Sequence, residues 1–125
     1  DAGRRRAELE AQRARADSAA ANYQSAVLAA LVEVESVLAR IEALQSQLAD
    51  LSEAVERSQS AYEQLDALYR EGLAGFIDVL DAQRNLISSR ESVVDTQADI
   101  ASATIRLYAS LGLSAAPASI ESVQN

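Results

Sequence analysis

Apolar residues recur every seven positions along most of this chain. The longest row runs from Val27 to Tyr69, and a companion row lies three residues further along, from Ala30 to Leu65. The first row is Val27, Val34, Ile41, Leu48, Val55, Tyr62 and Tyr69, and the second is Ala30, Val37, Leu44, Leu51, Ser58 and Leu65. A strict seven-residue repeat predicts α-helices that wind around partner helices in a left-handed supercoil.

A second helix with the same repeat is predicted after a short break. Gly72 and Gly75 interrupt the periodicity, and Gly75 is a plausible N-cap with Asp78 in the first turn. Two adjacent apolar rows follow: Val79, Leu86, Val93, Ile100 and Leu107, and then Leu80, Ile87, Val94, Ala101 and Tyr108. The pair Leu111-Gly112 predicts the end of this helix, with the glycine at C′.

Two helices joined by a tight reversal predict an all-α fold, a long antiparallel helical hairpin with coiled-coil-like packing. At 1.5 Å per residue the helices are about 100 Å and about 54 Å long. The first ~30 residues therefore have no partner within the chain. The apolar faces are also wider than one seam needs, so we expect packing against other helices, from other copies or from other parts of the protein.

Composition narrows the possible functions. The chain has 125 residues, which suits one domain, and a formal charge of −8 disfavours nucleic acid. It contains no cysteine and no histidine. Serine occurs in no nucleophile motif, and no glycine-rich phosphate loop is present. We therefore predict that the chain is not an enzyme and holds neither a cofactor nor a metal.

Nothing in the sequence predicts insertion into a membrane. No run of about 18 apolar residues is present, and no signal peptide is visible. If the protein is exported or membrane-bound, this chain is a fragment of it.

The residues around the break resemble a known family. Tyr69-Arg70-Glu71-Gly72-Leu73, followed by Val79-Leu80-Asp81-Ala82-Gln83-Arg84, is similar to the C-terminal periplasmic hairpin of TolC-like outer membrane factors. The opening Asp1-Ala2-Gly3-Arg4 and the closing Leu107-Tyr108-Ala109-Ser110-Leu111-Gly112 also match the family. These proteins are the exit ducts of tripartite drug-efflux pumps and type I secretion systems.

The resemblance implies an organisation for the chain. Residues 1–3 are the strand-to-helix junction, residues 4–70 the first helix and residues 71–75 the tip turn. The second helix spans residues 76–111, and residues 112–125 form a flexible tail. The chain would be the periplasmic part of an outer membrane protein that is a trimer, and only an absent β-barrel would touch the membrane. Its partners would be a periplasmic adaptor protein and, indirectly, an inner-membrane pump.

The resemblance also implies roles for residues near the turn. Asp78 and Asp81 match positions where the family places carboxylates at the narrowest point of the pore, where they would repel one another and attract cations. The alternative is that an aspartate in the first turn simply favours the helix N-terminus. We favour a pore gate at Asp81 and, more weakly, at Asp78.

Two further pairs of residues precede these aspartates in the sequence and are also given roles by the resemblance. Gly72 and Leu73 match the motif that the family presents to the adaptor, although Leu73 packed into the end of the hairpin is an equal alternative. Tyr69 and Arg70 lie where some relatives latch the tip shut. A local ion pair between Arg70 and Asp66, four residues earlier, is the stronger expectation for the arginine.

The interpretation as a channel component has two competitors. One is a cytosolic coiled-coil hairpin that dimerises into a four-helix bundle and serves as an interaction module. The other is an amphipathic helix on a lipid surface, which is weaker because such helices usually carry basic polar faces and aromatic residues.

Overall fold

Two α-helices make up the part of the chain that the structure describes, which is residues 1–115 with side chains through Gly112. The structure is a computed structural model. Helix α1 spans Ala2–Arg70 and helix α2 spans Phe76–Ala115, with no strand within residues 1–115. The all-α class and the helical hairpin predicted from the sequence are confirmed.

Helix α1 is long because nothing in its sequence interrupts it. Its 69 residues contain no proline, and its single glycine, Gly3, lies in the first turn. At the start, the Arg5 amide donates to the Asp1 carbonyl at 3.3 Å, so Asp1 stands at the N-cap position. The helix begins two residues before the predicted residue 4.

Helix α2 extends past the predicted end at residue 111. Gly112 lies inside the helix, which continues to Ala115, and its φ angle is not positive. A C′ glycine ends a helix by adopting the left-handed conformation, whereas a glycine that keeps helical angles costs only about 1 kcal/mol. Residues 112–115 of the predicted tail are therefore helical, and the rest of that tail lies outside the described residues.

The chain divides into two compact units, and both helices contribute to each. One unit comprises residues 37–106 and contains the antiparallel pair of α1 and α2 with the turn between them. We call this unit the hairpin unit. The other contains residues 1–36 and, among the described residues, 107–115, and every residue up to Ala29 is exposed.

The core of the hairpin unit is a single narrow seam. Its buried apolar residues are Val37 and Leu44 from α1, and Val79, Leu86 and Ala103 from α2. Ser58 and Thr96 are buried in the same seam. The first of the two apolar rows on α2 thus packs against α1, while Ile87 and Val94 of the second row remain exposed.

Candidate functional site: the hairpin tip

A left-handed glycine forms the turn between the helices. Gly72 has a φ of 75°, a conformation that costs a residue with a Cβ about 1–2 kcal/mol. The Leu73 amide donates to the Leu68 carbonyl at 2.8 Å, and the Gly72 amide donates to the Tyr69 carbonyl at 2.9 Å. This pair of bonds is a Schellman motif, which satisfies the last carbonyls of α1 and reverses the chain.

Leu73 presents an apolar side chain to solvent at the tip turn. This side chain is 71% exposed. In a Schellman motif the residue after the glycine often packs back on the helix, and here it does not. The side chain is thus exposed in the hairpin, and docking of the adaptor at this position stays a prediction.

The Asp78 carboxylate caps the start of helix α2. The Val79 amide donates to the Gly75 carbonyl at 3.4 Å, and the Gly75 amide donates to Asp78 Oδ2 at 3.2 Å. Gly75 is therefore the N-cap and Asp78 stands at N3. Their bond is the half of a capping box in which the N3 side chain accepts from the N-cap amide, and glycine has no side chain to make the other half. The carboxylate also lies where it favours the positive end of the helix dipole.

Aromatic rings bracket the turn. Tyr69, near the end of α1, and Phe76, the first residue of α2, have ring centroids 5.8 Å apart and planes tilted by 49°. Such a tilted pair at this distance is favourable beyond its buried area. Phe76 was not among the residues singled out from the sequence, because a lone aromatic residue after a glycine carries no pattern.

Arg70 makes the local ion pair expected from its spacing. Its Nη2 atom lies 2.8 Å from Asp66 Oδ2, one helical turn earlier, and its side chain is largely exposed. An exposed pair of this kind contributes about 0.3–0.5 kcal/mol. The guanidinium is therefore held loosely and stays accessible from outside the hairpin.

Asp81 stands apart from this network. It is exposed one turn beyond Asp78 on the same side of α2, and it has no ion-pair or hydrogen-bond partner among the residues the structure describes. The turn therefore brings together five of the six residues singled out from the sequence, and leaves Asp81 as a free carboxylate beside them.

A second exposed surface runs along α2 away from the turn. Ile87 is 48% exposed and Val94 is 61% exposed, and a groove of about 460 Å³ lies between Val94 and Val55 of α1. Arg90 and Glu56 border that groove. Exposed apolar side chains at a seven-residue spacing are typical of a helix that packs against a further helix.

Neither a metal site nor a membrane span is found within residues 1–115. Among these described residues, no cluster of three or more acidic, histidine or cysteine residues is arranged to hold an ion. Neither α1 nor α2 contains a stretch apolar enough to cross a bilayer.

A helical hairpin unit whose tip and one heptad row are exposed is typical of a component of a larger helical assembly. The family model for outer membrane efflux proteins matches residues 1–113, and the chain belongs to that family. This membership confirms the resemblance to outer membrane factors and the predicted localisation in the periplasmic part of an outer membrane protein. It favours the interpretation as a channel component over the cytosolic four-helix-bundle and lipid-surface alternatives.

Curated relatives match over the same region. The chain is 31% identical over 112 residues to the solvent efflux pump outer membrane protein SrpC of Pseudomonas putida, covering 90% of this chain and 24% of SrpC. It is 30% identical to the cation efflux system protein CusC of Escherichia coli K12, with the same coverage of 90% and 24%. The antibiotic efflux pump outer membrane protein ArpC of Pseudomonas putida is 29% identical, with coverage of 90% and 23%.

The chain spans about a quarter of the length of these relatives. No solved structure shows a significant match to it.

Proposed function

We propose that this chain is one helical hairpin of the periplasmic tube of a trimeric outer membrane channel for tripartite efflux or type I secretion. The observation that supports this most is the exposed row of Ile87 and Val94, which repeats at seven residues and has no partner in the hairpin unit. Further helices of the same protein would cover this row when the helical hairpins pack side by side around a central channel.

The tip turn would dock the periplasmic adaptor protein. Gly72 holds the reversal, and the exposed Leu73 offers an apolar side chain that a groove on the adaptor would bury. Burying a leucine side chain contributes about 1.5–3 kcal/mol, and three copies in a trimer would act together. Contact with an inner-membrane pump would be indirect, through the adaptor.

Asp81 and Asp78 would form the pore gate. In a trimer each would make a ring of three carboxylates, which attracts cations and raises the barrier for anions. Asp81 carries this role more strongly, because its carboxylate is free, whereas Asp78 accepts the Gly75 amide hydrogen bond.

Tyr69 and Arg70 would latch the closed tip. The exposed Arg70 side chain would reach a neighbouring hairpin by exchanging its weak pair with Asp66, and Tyr69 would hold the turn through its ring contact with Phe76. Opening would then be a population shift driven by the adaptor and the energised pump, with no catalytic step in this chain.

The test is single-channel conductance of the full-length protein in planar bilayers. Asp81→Asn is expected to raise the closed-state conductance and weaken block by divalent cations, and Asp78→Asn is expected to do so less. The control is Asp95→Asn, which removes the same charge from an exposed position on the same face of α2, about 21 Å further from the turn. Wild-type conductance and cation block in Asp81→Asn would remove the gate assignment.

A further inference from the structure

One layer of the hairpin seam consists of two serines. Ser58 Oγ lies 3.2 Å from Ser89 Oγ, with Ser58 buried and Ser89 half-buried. Because the helices run antiparallel, moving seven residues back along α1 means moving seven forward along α2. The neighbouring layers therefore pair Leu51 with Thr96, Leu44 with Ala103, and Leu65 with Ala82.

Each of those three layers combines a leucine of α1 with a small residue of α2. The layer of Ser58 and Ser89 alone among the four lacks a large apolar side chain. Apolar burial is what holds such a seam together, so cohesion between the helices falls at this level.

The polar contacts at this level are ones that water can replace. The Ser89 hydroxyl donates to the Asn85 carbonyl at 2.9 Å, so the Ser58 hydroxyl donates to Ser89. Next to it, Arg90 Nη2 donates to Gln59 Oε1 at 2.7 Å on the exposed side. Exchange of such hydrogen bonds for bonds to water changes the free energy little.

Helix α2 is also easier to bend here. Ser89 and Ser92 donate to the carbonyls four residues earlier, at 2.9 and 3.1 Å. A hydroxyl on a carbonyl that already accepts a helical amide weakens the helix slightly and often bends it. Thr104, further along α2, makes the same kind of bond to the Ile100 carbonyl at 2.8 Å, whereas no serine of α1 between residues 37 and 70 does. Bonds of this kind therefore lie on α2, and those of Ser89 and Ser92 lie at the level of the serine layer.

We propose that the hairpin unit opens in two steps, with the Ser58–Ser89 layer as the pivot. The tip segment, residues 59–88, separates first, while the base segment, residues 37–57 with 93–106, stays paired. The apolar side chains of Leu65, Val79 and Leu86 lose their contacts with the facing helix when the tip segment opens, and burying them again favours closing. This device is a property of the hairpin and does not depend on the proposed channel function.

Hydrogen–deuterium exchange of the full-length protein, followed by mass spectrometry, tests the proposal. Amides of the tip segment are expected to exchange together, about tenfold or more faster than those of the base segment, with a step at residues 58 and 89. Uniform exchange, or a gradual slowing from the turn towards the base without a step, would overturn the pivot.

Substitutions test whether the serine layer causes the step in exchange rate. Ser58→Leu combined with Ser89→Ala recreates the leucine–alanine pairing of the neighbouring layers and is expected to slow exchange of the tip segment about tenfold. Thr96→Val removes a buried hydroxyl from the base segment without changing the volume and is expected to leave the step in place. Equal slowing of both segments in the double variant, or no slowing, contradicts the proposal. If the double variant does not assemble, the exchange rates along the unsubstituted protein, with or without a step at residues 58 and 89, decide whether the proposal holds.

Discussion

Replacing Gly72 by alanine should destabilise the hairpin, although the structure has room for the new methyl group. No atom lies within 4 Å of the position a Cβ would take. The cost comes from the backbone alone, because φ at this residue is 75°. The substitution therefore isolates the conformational contribution of the turn from any packing effect.

The introduced alanine can either keep the left-handed conformation or relax to a negative φ. The conformation that costs less free energy sets the size of the effect. If the introduced alanine kept the left-handed conformation, the strain would be about 1–2 kcal/mol. If it relaxed to a negative φ, the amide bonds of residues 72 and 73 to the Tyr69 and Leu68 carbonyls would break, at about 0.5–1.5 kcal/mol each. Alanine also reduces the entropy of the unfolded chain, worth about 0.4–1 kcal/mol in the opposite sense. The net loss is about 1 kcal/mol.

Urea denaturation of the chain, followed by circular dichroism at one fixed protein concentration, measures this loss. Gly72→Asn is the matched control, since asparagine tolerates the left-handed region, and it should lose less than the alanine variant. Gly112→Ala is a second control with the opposite sign. Gly112 is helical with open space around it, so alanine should stabilise that part of α2 by about 0.5–1 kcal/mol.

A Gly72→Ala variant as stable as the parental chain would refute the reasoning. So would an asparagine variant that loses more than the alanine variant. Either result would mean that the Schellman geometry at Leu68–Leu73 does not determine the reversal.

Three further side chains and the helix cap give expected outcomes. Leu86→Ala, at a side chain only 4% exposed, should lower the stability of the hairpin by about 2–3 kcal/mol at every protein concentration. Ile87→Ala, next to it but half exposed, should instead shift the concentration at which helicity rises in dilution series, because its partner lies on another chain or segment; an equal effect of both variants would contradict the two-face assignment. Leu73→Ala should leave the thermal midpoint within about 2–4 °C and weaken adaptor binding by about tenfold or more in surface plasmon resonance with the full-length protein; unchanged binding would rule out docking through this side chain. Asp78→Ala should cost about 1 kcal/mol through loss of the hydrogen bond from the Gly75 amide and of the favourable charge at the N-terminus of α2, measured by urea denaturation against Asp81→Ala, which should be neutral.

Local features of the chain predicted the helices and the break between them. The heptad rows and the absence of glycine and proline between Arg4 and Tyr69 favour a long helix. Two glycines three residues apart allow the reversal, and α1 ends at Arg70 just before them. These outcomes depend on neighbours within a few residues, so sequence alone is sufficient for them.

Gly112 shows the limit of the same local reasoning. A glycine after a leucine at the end of an apolar row is typical of a helix stop, yet α2 continues through it. Ending a helix there requires a left-handed turn that a following contact makes favourable. Without it, the helix loses only about 1 kcal/mol by keeping the glycine.

Packing decided which face of α2 meets α1. Both apolar rows of α2 have the same period and similar hydrophobicity, so the sequence predicted one broad face and did not separate them. In the structure Val79 and Leu86 of one row are buried, as are the small residues Thr96 and Ala103, while Ile87 and Val94 of the other row stay exposed. Small side chains let two helices approach closely, and large ones on the facing helix fill the space, which is a property of the pair. Periodicity along one helix measures only how apolar a face is, and the fit between two faces exists only once both helices are in place.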